Sequence, residues 1–97
     1  MHVELHPAAD RELVEISLYL EGERSGYGDR FLDAYQAARD LLLQYGNAGS
    51  PRRRSVRFMS VRGFPYDIVY QLRDDAIFIL AIAHQSRKPA YWRKRIR

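Results

Sequence analysis

An unbroken apolar run, Ile77-Phe78-Ile79-Leu80-Ala81-Ile82-Ala83, stands between the Asp74-Asp75-Ala76 turn and His84 in a chain of 97 residues. The run falls far short of the roughly 20 residues needed to span a bilayer, and its length suits a strand. Its continuity requires cover on both faces of that strand, which places it in the middle of a sheet. A chain of this length holds one hydrophobic core, so residues 1–97 are expected to form a single domain around that strand.

The strand's neighbours are readable from period. Tyr66, Ile68, Tyr70 and Leu72 alternate with Asp67, Val69, Gln71 and Arg73, so Tyr66 to Arg73 and Ala76 to His84 read as a strand pair across the tight Arg73-Asp74-Asp75-Ala76 turn. Arg54, Val56 and Phe58 alternate with Arg53, Ser55 and Arg57 and predict another strand. Upstream of the breaker Gly46-Asn47-Ala48-Gly49-Ser50-Pro51 the period is helical. Ala9, Leu13, Ile16 and Leu20 form one face of a helix from Ala8 to about Glu21, with Arg11, Glu12 and Glu15 on the opposite side. Phe31, Ala34, Tyr35, Ala38, Leu41 and Leu42 form the stripe of a second helix from Tyr27 to Tyr45. The short connection between the helices predicts an antiparallel hairpin. His2 to His6 alternates and stops at Pro7, a short first strand, and Pro89 opens a short final helix. The expected fold class is α+β in the order β-α-α-β-β-β-α, a helical hairpin packed on a mostly antiparallel sheet with a three-stranded C-terminal meander.

Charge divides the chain at the same breaker. Residues 1–48 hold four Arg against nine Asp/Glu, whereas residues 49–97 hold twelve Arg/Lys against three Asp. Fourteen of the sixteen basic residues are Arg, the side chain suited to bidentate contact with phosphate or carboxylate, so nucleic acid or an acidic protein is the partner class implied. There is no cysteine, which excludes a disulfide framework, a thiolate metal site and a thiol nucleophile. His2, His6 and His84 form no recognised ligand motif, and no phosphate loop, dinucleotide fingerprint or nucleophile elbow is present. No metal and no cofactor are expected. Neither a signal peptide nor a membrane span is expected, and the location implied is cytoplasmic.

Arg62-x-Phe64-Pro65-Tyr66-x-Ile68-Val69-Tyr70 and His84-x-x-Arg87-x-Pro89-x-Tyr91-Trp92, carried on this order of elements, resemble the RelE/ParE superfamily of bacterial type II toxin-antitoxin systems. The resemblance implies a growth-inhibiting toxin neutralised by a cognate acidic antitoxin whose C-terminal segment is disordered alone. Arg53 and Arg57, with Leu13 and Leu20, are the residues expected to meet it. The superfamily contains two chemistries. RelE-like members cut mRNA on the ribosome, and for that reaction Arg62 and Arg87 would clamp the phosphate while His84 and Tyr91 transfer protons. ParE-like members poison DNA gyrase and need no proton-transfer groups; Arg87, Trp92, Arg93, Lys94 and Arg95 would then form the target-binding edge. RelE-like nucleases commonly carry Arg immediately before the Leu/Ile-Val-Tyr of the central strand, whereas this chain has Asp67 there. An anion beside a scissile phosphate opposes binding and charge stabilisation, which puts the gyrase reading ahead. A third reading is a non-toxic nucleic-acid-binding or adaptor module. Structural roles compete at each position: His84 as a strand end, Arg87 paired with Asp67 or Asp74, and Trp92 closing one end of the core.

Overall fold

The computed structural model describes residues 1–96. Its elements are β1 (His2–Leu5), α1 (Pro7–Glu23), α2 (Tyr27–Gln44), β2 (Ser50–Pro51), β3 (Val56–Ser60), β4 (Tyr66–Arg73), β5 (Ala76–His84) and a C-terminal 3-10 helix, Pro89–Arg95. The strands form one sheet in the order β1-β5-β4-β3-β2, antiparallel throughout except for the parallel β1–β5 pair. The α+β class and element order agree with the sequence reading. The two-residue β2, at the sheet edge where Pro51 needs no ladder donor, is the element that period could not show.

β5 is the central strand and its apolar run is covered on both sides. Ile77, Ile79 and Ile82 pack with Ile68 and Tyr70 of β4 against Ala9 and Leu20 of α1 and Phe31, Tyr35, Ala38 and Leu42 of α2. Phe78, Leu80, Ala81 and Ala83 turn to the opposite face with Val56, Val69 and Trp92. The inversion of parity has a visible cause. Val69 pairs with Ala81 and Tyr70 with Ile79, so Leu80 is the extra residue of a bulge that flips the side chains beyond it. The alternation expected along β4 is observed, with Tyr66, Ile68, Tyr70 and Leu72 on the helical side and Val69 on the other.

The hairpin closes tightly. A Cβ at Gly28 would stand 2.5 Å from the Ser17 carbonyl oxygen, so the first turn of α2 can approach α1 only as glycine. Glu21, near the end of α1, accepts from the backbone N–H groups of Gly26 and Gly28 at 2.9 to 3.1 Å and satisfies donors that α2 leaves open. After α2, the Tyr70 hydroxyl donates to Gly46 O (2.7 Å) and accepts from Gly49 N–H (2.9 Å), pinning the loop that leads into β2. Arg57 donates to the carbonyls of Asn47 and Gly49 in the same loop.

One expectation is corrected here, and the apolar antitoxin candidates are located. Glu12 does not belong to the solvent side of α1: its carboxylate is largely buried and reaches β5. Leu13 and Leu20, expected on an antitoxin-binding surface, lie on the inward stripe of α1, Leu20 in the core and Leu13 packed against it. The apolar side chains that α1 shows to solvent are Val14, Leu18 and Tyr19.

Candidate functional site

Three segments converge where β5 ends: the β3–β4 turn, the Gln85–Lys88 turn and the C-terminal 3-10 helix. Gln85 N–H bonds Pro65 O at 2.9 Å, extending the β4–β5 ladder by one rung, and its Nε2 donates to Asp67 Oδ1 at 3.2 Å. Asp67 is therefore occupied by an amide, and Arg87 goes elsewhere. His84 stacks edge-on against Tyr66 at 5.1 Å, on the helical side of the sheet. Its Nδ1 accepts from Ser86 N–H at 3.1 Å, with Ser86 Oγ at 2.8 Å.

On the opposite face, the 3-10 helix tucks Trp92 beneath Phe58 (ring centroids 5.7 Å apart) and sets Tyr91 below two guanidinium groups, Arg87 at 3.8 Å and Arg95 at 5.1 Å from its ring centre. Such cation-over-ring contacts are attractive through the ring quadrupole. Arg95 also grips Glu12 bidentately, at 3.0 and 3.1 Å. The reason for this pair lies in the sheet. β1 stops at Leu5 opposite Ile79, so the next outward-facing backbone groups of β5 have no strand beside them. Glu12 accepts from Ile82 N–H at 3.1 Å and Arg95 donates to Leu80 O at 3.0 Å, so an ion pair completes the ladder that β1 leaves unfinished. The Tyr91 hydroxyl is buried beside it, with Glu12 close by but no partner in good hydrogen-bond geometry among the described residues. Burial first, and then the negative Glu12, push its pKa up to about 12.

The face carrying Trp92 also holds a cleft of about 540 Å³ lined by Arg52, Arg53, Arg54, Phe58, Trp92, Arg93 and Ile96. Arg52 lies over the Phe58 ring at 4.7 Å. A separate cavity of about 500 Å³ beside α2 takes Arg62 with Arg24, Tyr27, Arg30 and Phe64.

Residues 3–89 match the family described as the ParE toxin of the type II toxin-antitoxin system, parDE. The chain belongs to that family. This ParE-family toxin is also 26% identical, over 88 residues, to Toxin RelE3 of Caulobacter vibrioides, an alignment covering 89% of this chain and 96% of that protein. Among solved structures it resembles the chromosomal ParDE TA system from P. aeruginosa with a TM-score of 0.64 and 21% identity, over 87% of this chain and 95% of that one. That likeness is one of fold.

The family match ends at residue 89, so Tyr91, Trp92, Arg93, Lys94 and Arg95 lie in a tail beyond it. The nuclease set named from sequence is split in this ParE-family chain. Arg87 and Tyr91 touch each other on one face of the sheet, His84 lies on the other, and Arg62 lines the cavity against α2. Of the target-binding set, Arg87, Arg93 and Lys94 are exposed, but Trp92 is core and the Arg95 side chain is largely buried in its pair with Glu12. Arg53 is exposed at the cleft, whereas the Arg57 guanidinium is bound to loop carbonyls. Sequence reasoning missed Glu12, which only the position of Arg95, 83 residues away, explains. It also missed Gln71, a fully buried amide that no period distinguishes from its neighbours.

Proposed function

We propose that this toxin arrests growth by poisoning DNA gyrase in the cytoplasm, and that an acidic antitoxin with a disordered C-terminal segment neutralises it. The observation that supports this reading is the division of the candidate proton-transfer groups. His84 and Tyr91 stand on opposite faces of the sheet, and the Tyr91 hydroxyl is buried under two arginines with its pKa pushed up to about 12. General acid-base catalysis needs both groups within hydrogen-bond reach of one scissile phosphate. A protein that acts by binding needs only an accessible basic edge, which Arg87, Lys88, Arg93 and Lys94 supply.

Induction in bacteria, followed by parallel assays of gyrase cleavage complexes and of mRNA integrity, tests the proposal. Cleavage complexes should accumulate, with His84→Ala and Tyr91→Phe retaining toxicity within about tenfold, since removing a functioning acid-base group costs about 10²–10⁴. Joint replacement of the exposed Arg87 and Arg93 by Glu should abolish it. Rapid ribosome-dependent mRNA cleavage that disappears in His84→Ala would replace gyrase with the ribosome as target. Growth unaffected by the intact chain would remove the toxin activity itself. Co-purification with the product of the adjacent reading frame tests the antitoxin.

A further inference from the structure

We propose that the cleft over Phe58, Trp92 and Ile96 is a binding site for a nucleoside polyphosphate, with the phosphates on Arg52, Arg53, Arg54 and Arg93 and the base on the apolar floor. The site shares Arg93 with the target edge and does not depend on which target the toxin attacks. Four guanidinium groups meet at one opening, and among the described residues no carboxylate lines it. Neighbouring cations repel one another unless a polyanion is supplied, and guanidinium binds phosphate oxygens in bidentate fashion. The cleft's 540 Å³ falls within the range of small-molecule sites, about 300–1,000 Å³. Its floor is made of apolar side chains, and the Arg52 guanidinium on Phe58 adds a flat cationic surface of the kind on which bases stack.

The turn that presents these arginines provides a second, independent observation. Val56 N–H closes it onto Arg53 O at 3.1 Å, and both central residues, Arg54 and Ser55, have positive φ, 56° and 59°. A two-residue turn of that kind is normally made by Asn-Gly or Gly-containing pairs, because side chains other than Asn and Asp seldom tolerate the left-handed region. Here an arginine and a serine occupy it. The conformation is held from below by Gln71, whose buried Nε2 reaches Arg54 O at 3.5 Å and Ser55 Oγ at 3.3 Å. Strained backbone kept in place by a buried support is the mark of a preorganised binding element, since a turn needed only for connection would carry the residues that favour it.

Trp92 is the chain's only tryptophan and sits in the cleft wall, so its fluorescence reports occupancy directly. The purified chain is titrated with ATP, GTP, inorganic tripolyphosphate, adenosine, a short single-stranded oligonucleotide and a glutamate-rich peptide, with calorimetry as a second readout. ATP or GTP should change the emission and bind at least tenfold more tightly than tripolyphosphate, and adenosine should not bind in the same range. Arg54→Gln and Arg93→Gln should each weaken ATP about tenfold or more, the scale of a lost charge-assisted contact. Arg24→Gln, at the turn of the helical hairpin, should not, and far-UV circular dichroism checks that each variant is folded. Tripolyphosphate binding as tightly as ATP would remove the base from the proposal. A preference of more than a hundredfold for the oligonucleotide or the peptide would reassign the cleft to a nucleic-acid strand or a protein partner. Absence of both fluorescence change and heat at millimolar nucleotide would overturn the site altogether.

Discussion

At the scale of single residues, the neighbourhood of Tyr91 combines a well-satisfied ion pair with an unsatisfied hydroxyl. Glu12 and Arg95 each bind the other and a backbone group of β5, so loss of either side chain would strand a largely buried charge together with an open ladder position. Tyr91 contributes its ring to Arg87 and Arg95, while its hydroxyl is dehydrated without return. Tyr91→Phe should therefore be neutral or stabilising by up to about 1 kcal/mol in urea denaturation, because it removes a buried unpaired polar atom and keeps the ring. The same residue sets an alkaline limit. Its pKa is raised in the folded chain, so its contribution to stability is complete below pH 10 and is lost as pH rises from 10 through about 12, where the unfolded chain ionises first. Tyr35, Tyr66 and Tyr70 are raised in the same direction by burial, so the variant should flatten this alkaline loss in part. An unchanged alkaline slope in Tyr91→Phe would show that the hydroxyl is not dehydrated in solution.

Among the elements, the α1–α2 hairpin offers a test in which two physical effects predict opposite signs. Gly28 lies in the first turn of α2, where alanine would normally favour the helix by about 1 kcal/mol. Its Cβ, however, would meet the Ser17 carbonyl oxygen of α1 at 2.5 Å, and overpacking against backbone costs about 1–3 kcal/mol. Gly28→Ala should lower the melting temperature by several degrees, at about 4–8 °C per kcal/mol for a domain of this size. A rise would mean that the helices separate freely. The same contrast between local pattern and tertiary contact explains what was legible in the sequence. β4 and β5 were readable to the residue because alternation, a two-residue turn and an unbroken apolar run are local signals. The bulge at Leu80 was hidden by the run itself, since a change of face leaves no trace where every residue is apolar. In the candidate site, the basic edge was legible as composition, but its division between two faces depends on where the chain turns after His84, which spacing alone does not fix. The ion pair was illegible because Glu12 acquires its role only from the shortness of β1 and the return of Arg95.

For the molecule as a whole, the sheet is a middle layer, and the side away from the helices is roofed mainly by the C-terminal 3-10 helix and Ile96. Trp92, Tyr91 and Ile96 cover Val56, Val69, Phe78 and Leu80 there, and Arg95 fastens the roof to α1. A chain ending at Lys88 should therefore bind a hydrophobic dye, self-associate in sedimentation and lose its cooperative thermal transition, since an apolar sheet face would be left open to water. Cooperative melting within a few degrees of the full chain would show instead that the tail is an accessory. The parallel pairing of β1 with β5 has a consequence for the moment of synthesis. β1 is made long before β5, so Val3 waits for Ile77 and Glu12 for Arg95, and the first strand is unpaired for most of translation. Contacts this distant in sequence form slowly and late. Until β5 emerges, His2–Leu5 is a strand with no sheet, an open edge on which any extended segment can pair.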